Sequence, residues 1–248
     1  DAVFDNGMAL AKALGTSIDK DDATINVYPQ WTINKGNLYY YPNGGVVGGN
    51  YGAGHSLITS GEFAGAYDTP QAFNYNTTTG NTVADVISYF TRTGYHSAPS
   101  AQAWRLGSPT STTYIADNNQ DLSGFVKDKT NVNLKLYANW VANTYTVSYN
   151  ANGGSGTTAS SSHTYDTSKA LTSNGFSKTG YTFSGWNTKA DGSGTSYTNA
   201  QSVKNLTATQ GANITLYAQW KVNTYTYNIN YKSSTGKSLG TSTVSGTF

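Results

Sequence analysis

The feature that most constrains this chain is that it repeats itself. A segment that ends in tryptophan occurs three times, at residues 25–31, 134–140 and 214–220. In each copy apolar residues occupy alternate positions, which is the pattern of a half-buried β-strand. Segments that recur at intervals indicate an array of similar units rather than one large domain.

Two further blocks recur in the same order. Residues 141–154 align without a gap with residues 32–45, and both blocks end in Asn-Gly-Gly, while residues 176–181 match residues 90–95. Three ordered blocks therefore divide the chain into successive units. These are the C-terminal part of a preceding repeat (1–31), a long repeat (32–140), a complete short repeat (141–220) and the start of a further β unit (221–248).

The long repeat carries extra residues. Trp31 and Trp140 are clearly farther apart along the chain than Trp140 and Trp220. Most of the difference falls after Asn-Gly-Gly, so we predict an insertion of roughly 23 residues within 46–89. Its aromatic residues stand among Gly, Ser, Thr and Asn, the composition of protein-binding loops. An alternative of equal weight is an extra hairpin or helix whose aromatic residues cover a small core of their own.

The candidate ligand-binding residues are the aromatic residues of this insertion and one tryptophan beyond it. They are Tyr51, His55, Phe63, Tyr67, Phe73, Tyr75 and Trp104. A rigid ring with a polar edge provides contact area at a low entropic cost, which is why such residues are frequent in binding surfaces.

Composition excludes several classes of function. A net charge of +2 is too small for binding to nucleic acid or to an anionic membrane. The absence of cysteine excludes disulfides, thiolate metal sites and a cysteine nucleophile. His55, His96, His163 and the single glutamate, Glu62, lie in no catalytic motif. We therefore expect a protein that is not an enzyme and has no cofactor.

Two patterns resemble ligand sites but are incomplete. Asp117, Asn119, Asp121 and Asp128 fall at positions 1, 3, 5 and 12 of a calcium-loop template. Leu122 stands where that template needs glycine, so we interpret the segment as a plain loop and expect no metal. The glycine-rich run at 44–54 lacks the Lys-Ser/Thr pair of a phosphate-binding loop.

The patterning predicts an α+β fold that is mostly β. Alternating residues predict strands at 145–149, 181–186 and 214–220. Apolar residues at helical spacing predict short helices at residues 8–14, 82–90 and 200–206. The tryptophans that end the complete repeats, Trp140 and Trp220, are predicted to anchor the small cores.

The short repeat resembles a known family. Its Asn-Ala-Asn-Gly-Gly at 150–154, Lys-Thr-Gly-Tyr-Thr-Phe-Ser-Gly-Trp at 178–186 and Leu-Tyr-Ala-Gln-Trp at 216–220 resemble the Listeria–Bacteroides repeat, also called the internalin B-repeat. The long repeat fits less closely, because Tyr95 is followed by His-Ser-Ala-Pro and the equivalent Trp104 is displaced by four residues. The resemblance implies tandem ubiquitin-like β-grasp repeats of bacterial surface proteins, without catalytic residues. Residues 227–239 are also similar to the start of mucin-binding-type repeats.

We therefore expect a non-catalytic binding module of a bacterial cell-surface adhesin. The expected partner is a host protein or glycoprotein, either mucin or immunoglobulin. One alternative is a structural stalk that projects another domain from the cell wall. Another is a carbohydrate-binding accessory of a secreted enzyme, with exposed tyrosines and Trp104 as stacking platforms. We expect a monomeric segment of a larger, cell-wall-anchored extracellular protein that neither inserts into membranes nor binds nucleic acid.

Overall fold

The computed structural model describes residues 36–47, 57–58, 64, 66–69, 87–117, 120–126 and 132–248. All of them belong to one compact unit, Asn34–Phe248. These residues form mostly β-structure, as the alternating pattern predicted.

The strands follow one another closely along the chain. In chain order they are β1 (Gly36–Tyr41), β2 (Val46–Val47), β3 (Tyr67–Thr69), β4 (Phe90–Thr91), β5 (Tyr95–Ser97), β6 (Trp104–Leu106), β7 (Tyr114–Ile115), β8 (Val132–Ala138), β9 (Trp140–Ala142), β10 (Thr144–Asn150), β11 (Ser155–Gly156), β12 (Ser161–Thr164), β13 (Lys169–Ala170), β14 (Phe176–Ser177), β15 (Tyr181–Asn187), β16 (Ser196–Tyr197), β17 (Ser202–Val203), β18 (Asn213–Val222), β19 (Thr224–Lys232) and β20 (Ser238–Thr247). One α-helical turn, α1 (Ser123–Val126), and 3₁₀ turns at Ile87–Tyr89 and Ser100–Gln102 complete the elements described.

The two repeats contain sheets of the same topology. The long repeat has the strand order β3-β1-β8-β6-β7, and the short repeat has the order β12-β10-β18-β15-β16. In each sheet the first strand pairs in parallel with the closing strand, and every other pairing is antiparallel. The closing strand therefore lies in the middle of the sheet, β8 between β1 and β6 and β18 between β10 and β15.

Each sheet has its own hydrophobic core. The buried residues of the long repeat are Leu38, Tyr40, Phe90, Ala103, Trp104, Ile115, Leu122, Leu134, Leu136 and Ala138. Those of the short repeat are Tyr145, Val147, Leu171, Trp186, Val203, Leu216 and Ala218. The two clusters share no residue, so each repeat buries its own apolar face.

The predicted core anchors, Trp140 and Trp220, pack against the two cores but are only partly buried, and other tryptophans occupy the centres of the cores. Trp104 and Trp186 are fully buried, and they pair with Ala138 and Ala218 of the two closing strands. Their matching positions confirm that Trp104 is the displaced equivalent of Trp186. The tryptophans that end the repeats are only half-buried. Trp220 lies beyond the residues of β18 that pair with β10, and Trp140 lies in β9, after β8. Each packs against the edge of its core and also covers a turn.

That turn explains the Asn-Gly-Gly motif. In the short repeat the amide of Gly154 donates to the carbonyl of Ala151 at 3.0 Å. Asn152 and Gly153 have φ values of 48° and 83°, and positive φ at both central residues is the geometry of a type I′ turn. Asparagine and glycine tolerate this conformation best.

The turn is bonded to the closing strand in the same way in both repeats. Asn152 Nδ2 donates to the Ala218 carbonyl at 2.9 Å, and Trp220 Nε1 donates to the Ala151 carbonyl at 2.9 Å. The long repeat has the equivalent bonds, from Asn43 Nδ2 to Ala138 O at 2.9 Å and from Trp140 Nε1 to Pro42 O at 2.8 Å. Each turn thus fixes the start of its repeat to the end.

The hairpin of β19 and β20 has the same register as the first hairpin of the short repeat. Tyr225 pairs with Gly246 as Tyr145 pairs with His163. β19 and β20 form a sheet of two strands. Exposed apolar side chains lie along this hairpin, namely Tyr225, Tyr227, Ile229, Tyr231, Leu239 and Val244.

The helix predicted at residues 200–206 is wrong, because this segment contains strand β17, which pairs with β13. Ala200 and Asn205 have φ values of 55° and 57°, and a right-handed helix excludes both. Of the helix predicted at 82–90, the structure describes a 3₁₀ turn at Ile87–Tyr89 followed by β4. The helix predicted at 8–14 lies outside the described residues.

The predicted insertion contains a strand that both repeats share. β3, which lies within 46–89, pairs with β1 as β12 pairs with β10. The segment from Gly45 to Thr69 is several times as long as the equivalent segment from Gly154 to Ser161. Most of the extra length therefore lies between β2 and β3.

Replacement of Gly154 by alanine should destabilise the short repeat. A Cβ atom there would lie 2.7 Å from both Ser177 O and Trp220 Cζ2. We expect a loss of about 1–3 kcal/mol in the free energy of unfolding, measured by urea denaturation, because overpacking strains the turn. Gly246→Ala is the control, since its nearest neighbour would be 3.9 Å away. Equal stability of the two variants would contradict this explanation of the motif.

Candidate functional site

Most of the predicted ligand-binding residues are not described by the structure. Tyr51, His55, Phe63, Phe73 and Tyr75 lie outside the described residues, and their role stays a prediction. Tyr67 lies in β3, the second strand of the long repeat's sheet, and only its backbone is described.

Trp104 is not available to a ligand. Its side chain is fully buried, with the rings of Tyr40 and Phe90 at centroid distances of 4.8 and 5.4 Å. Its indole N–H donates to Asp117 Oδ1 at 2.8 Å. The predicted ligand-binding role of Trp104 is therefore wrong, because β6 directs the ring into the core.

Asp117, the first residue of the loop that resembles a calcium site, faces the core. Its carboxylate accepts the Trp104 indole N–H, and its Oδ2 accepts the amide of Ile87 at 3.4 Å. Ser100 Oγ donates to the Asp117 carbonyl at 3.0 Å. Asn119 and Asp128 lie outside the described residues. Within the part that is described, no three His, Cys, Asp or Glu side chains converge as metal ligands.

A buried histidine–serine pair lies in the short repeat. His163 Nε2 lies 2.9 Å from Ser161 Oγ, and its ring stacks on that of Tyr145. Burial lowers the pKa of His163 below its ordinary value of 6.5, and the positive charge of Lys169 lowers it further. Among the described residues His163 Nδ1 has no hydrogen-bond partner. Within that part of the chain, the pair therefore lacks the third group that orients a catalytic histidine.

A cleft lies where the two repeats meet. This junction cleft has a volume of about 400 Å³ and is lined by Gly44, Val46, Thr91, Arg92, Thr93, Tyr95, Tyr165 and Asp166. Tyr95 belongs to β5 of the long repeat, whereas Tyr165 and Asp166 follow β12 of the short repeat. Tyr95 OH donates to Asp166 Oδ2 at 2.8 Å across the junction.

The charged groups of the junction cleft are held by their neighbours. Asn205 Nδ2 donates to Asp166 Oδ1 at 2.9 Å, and Lys204 Nζ lies 3.4 Å from the same oxygen. The hydrogen bonds from Asn205 and then Tyr95 lower the pKa of Asp166. The hydrogen bond to Asp166 and then burial raise the pKa of Tyr95. The Arg92 guanidinium stacks 3.9 Å above the Tyr95 ring. This arrangement is suited to holding two units together.

Sequence reasoning did not identify the junction. The Lys/Arg-Thr-Gly-Tyr block and the segment after each tryptophan are repeated motifs, but the sequence assigns a role to neither. The available signal was their recurrence in both repeats. Nothing in the sequence alone shows that these segments, which are well separated along the chain, meet.

The comparison with protein families agrees with the strand pattern of the short repeat. The model of the Listeria–Bacteroides repeat domain matches residues 145–219. Residues 145–219 carry a Listeria–Bacteroides repeat. The matched segment begins in the first strand of the short repeat, β10, and ends in its closing strand, β18. The Listeria–Bacteroides repeat in this chain is thus one five-stranded sheet with its own core.

Two proteins of Evansella cellulosilytica share parts of the sequence. One, named "Putative Gly-rich membrane protein", is 51% identical over 49 residues, which are 20% of this chain and 6% of that protein. The other, named "Putative membrane protein", is 34% identical over 103 residues, which are 40% of this chain and 15% of that protein. The chain thus corresponds to a small part of each relative. Within the described ranges, no helix has the length and apolar character needed to cross a bilayer.

Replacement of the buried tryptophans by phenylalanine should affect the repeats unequally. Trp186 Nε1 is buried without a hydrogen-bond partner among the described residues, whereas Trp104 Nε1 donates to Asp117. Trp104→Phe should lower the free energy of unfolding by about 1–3 kcal/mol more than Trp186→Phe does, because it also removes a hydrogen-bond donor from a buried carboxylate. Urea denaturation of both variants measures the difference. Equal losses would show that the hydrogen bond to Asp117 adds nothing to stability.

The stability of the short repeat should decrease as the solution becomes mildly acidic. His163 takes up a proton more readily in the unfolded chain, because burial and Lys169 lower its pKa in the folded state. Its neutral form therefore supports folding fully above pH 6.5, and this support decreases as pH falls below 6.5. Unfolding between pH 7 and about pH 5 measures the effect. The free energy of unfolding of His163→Phe should depend less steeply on pH than that of the unaltered chain. An unchanged pH dependence would contradict the assignment of this effect to His163.

Proposed function

We propose that this chain is a non-catalytic array of β-grasp repeats that acts as a spacer in a bacterial surface protein. The observation that carries the proposal is that two successive units have the same sheet topology and meet through direct hydrogen bonds. Repeats that each have their own core, joined in series, extend a chain without chemistry of their own.

The strand order supports a β-grasp assignment. If the five strands of each sheet are numbered in chain order, their spatial order across the sheet is second, first, fifth, third and fourth. The first and fifth strands are parallel. A β-grasp sheet needs an element that packs over its apolar face. In the short repeat the buried Leu171 and Val203 belong to the segments that carry the β13–β17 ladder, and they are part of the core.

The location outside the cell is supported by the two relatives and by the composition. Both relatives carry the words "membrane protein" in their names. A cysteine-free chain with 11% charged residues and 20 tyrosines is typical of secreted β-structure, in agreement with the family resemblance.

A second candidate function is adhesion to a host protein or glycoprotein, such as mucin or immunoglobulin, through the insertion. The observation that favours it is that the extra residues lie mainly between β2 and β3, both of which pair with strands of the long repeat. A long connection between two paired strands is a common position for binding residues. The carbohydrate-binding alternative loses support, because Trp104 is buried.

One variant separates the two functions. Residues 48–66 are replaced by Thr-Thr-Ala-Ser, which is the sequence of residues 157–160 between the equivalent strands of the short repeat. Both proteins are then tested for binding to immobilised mucin, immunoglobulin and a panel of glycans. A spacer should bind none of them, before or after the replacement. The short repeat should unfold at an unchanged temperature, because its core contains no residue of the long repeat.

Saturable binding by the unaltered chain that is lost in this variant would contradict the spacer function and support the adhesin function. As a control, residues 157–160 are replaced by Gly-Ser-Gly-Ser, which alters a linker of the same position in the short repeat without touching the insertion. If this control also abolished binding, the binding surface would lie on the short repeat. That result would likewise contradict a pure spacer.

A further inference from the structure

We propose that each repeat carries a socket that receives an aromatic ring from the following unit, so that successive units are joined by one repeated contact. The socket is the Lys/Arg-Thr-Gly-Tyr turn, residues 92–95 or 178–181, together with the asparagine that directly precedes the first strand of the following unit, Asn143 or Asn223. The inference rests on the proposed array and deepens it, because it states how neighbouring units are oriented.

At the first junction Asn143 connects the two units. Its amide donates to the Gly94 carbonyl at 2.8 Å, and its carbonyl accepts the amide of Tyr165 at 2.8 Å. Its side-chain Oδ1 accepts a hydrogen bond from His96 Nδ1 at 2.7 Å. Both the turn of the long repeat and the end of the short repeat's first hairpin are thereby bonded to one residue.

The second junction has the same connections. The amide of Asn223 donates to the Gly180 carbonyl at 2.8 Å, and its carbonyl accepts the amide of Phe248 at 3.2 Å. Its Oδ1 accepts the hydroxyl of Thr182 at 2.7 Å. Thr182 stands directly after the turn, as His96 does at the first junction. Two junctions with different side chains thus have the same bonding pattern.

An aromatic ring lies over the glycine of each turn. A Cβ atom at Gly94 would overlap with the ring of Tyr165, and a Cβ atom at Gly180 would overlap with the ring of Phe248. Both glycines also have positive φ, 77° and 78°. Only glycine satisfies both conditions, because it has no Cβ to strain the backbone or to displace the ring.

The ring also contacts the tyrosine of the turn in the same orientation at both junctions. Tyr95 and Tyr165 have a centroid distance of 5.8 Å and an interplanar angle of 73°. Tyr181 and Phe248 have a centroid distance of 6.4 Å and the same angle of 73°. Edge-to-face packing of this kind is favourable for aromatic pairs.

A contact of this kind has a structural consequence. The surfaces that meet are different, a socket on one unit and a ring on the next, so the contact is heterologous. When a heterologous contact repeats with the same geometry, it relates successive units by a constant rotation and translation. The array is therefore a stiff rod with a defined twist, and not a chain of freely rotating units.

Because the chain has no native cysteine, distances between two introduced spin labels can be measured directly by pulsed electron–electron double resonance. Thr112→Cys in the long repeat and Ser173→Cys in the short repeat, both exposed, give one spin label on each unit. We expect a narrow distance distribution that becomes at least about twofold wider with Tyr165→Ala, because freely linked units move relative to one another. Tyr165→Phe should restore the narrow distribution, since Phe248 fills the same position.

A second pair of labels tests the other junction with a variant that leaves the folded cores intact. Ser173→Cys and Ser234→Cys report the orientation of the β19–β20 hairpin relative to the short repeat. Phe248→Ala should broaden this distribution, because its ring lies on the socket although its side chain is 64% exposed. Leu239→Ala, 66% exposed on the same hairpin, is the matched control and should have no effect.

An unchanged width with Phe248→Ala, or equal broadening by Leu239→Ala, would overturn the socket. So would a distribution that is already broad in the unaltered chain. These results would leave the spacer function standing, since a flexible array also separates domains, and the binding assays test that function independently. Failure of the spacer in those assays would equally leave the junction measurement valid.

Discussion

The structure of each repeat depends on the bonds between its Asn-Gly-Gly turn and its closing strand. In the short repeat the turn residue Asn152 donates a hydrogen bond to the Ala218 carbonyl of the closing strand. In return, Trp220 of the closing strand donates to the Ala151 carbonyl of the turn. Both bonds join the two ends of the repeat's sequence, so they close the whole repeat into one unit. The parallel pairing of first and closing strands, the central feature of the sheet, adjoins this point.

The same closure also sets the start of the next unit. The closing strand β18 ends at Val222, and β19 begins at Thr224, which leaves Asn223 as the only residue between them. A link of one residue gives the following hairpin little freedom, and that residue is also the hub of the junction bonds. Connection by such a short link is therefore the reason that a small aromatic contact is sufficient to orient neighbouring units.

Three polar pairs among the described residues contribute to the structure. Trp104 with Asp117, His163 with Ser161 and Tyr95 with Asp166 are each polar pairs of types that also occur in active sites. Trp104 and His163 are buried within their repeats, whereas the Tyr95–Asp166 pair is exposed and joins two repeats. Burial shifts the pKa of His163 downward, and hydrogen bonds from Asn205 and Tyr95 shift that of Asp166 downward, so the cause in both cases is the fold itself. The shifted pKa of His163 therefore reflects burial, and that of Asp166 reflects hydrogen bonding, both of which are common in structural scaffolds.

The sequence by itself determined the repeats, the strands and the tight turns, because these follow from local periodicity and from residues such as Asn152-Gly153 that few other pairs can replace. Only the tertiary structure decided which tryptophans are buried, since Trp104 and Trp220 have equally apolar side chains and differ in the segments that cover them. It also decided that residues 200–206 do not form a helix, because pairing with β13 outweighs the helical spacing of two apolar residues. The junction was beyond sequence reasoning for the same reason. Gly94 and Tyr165 belong to different repeats, and their contact exists only when two complete units are folded.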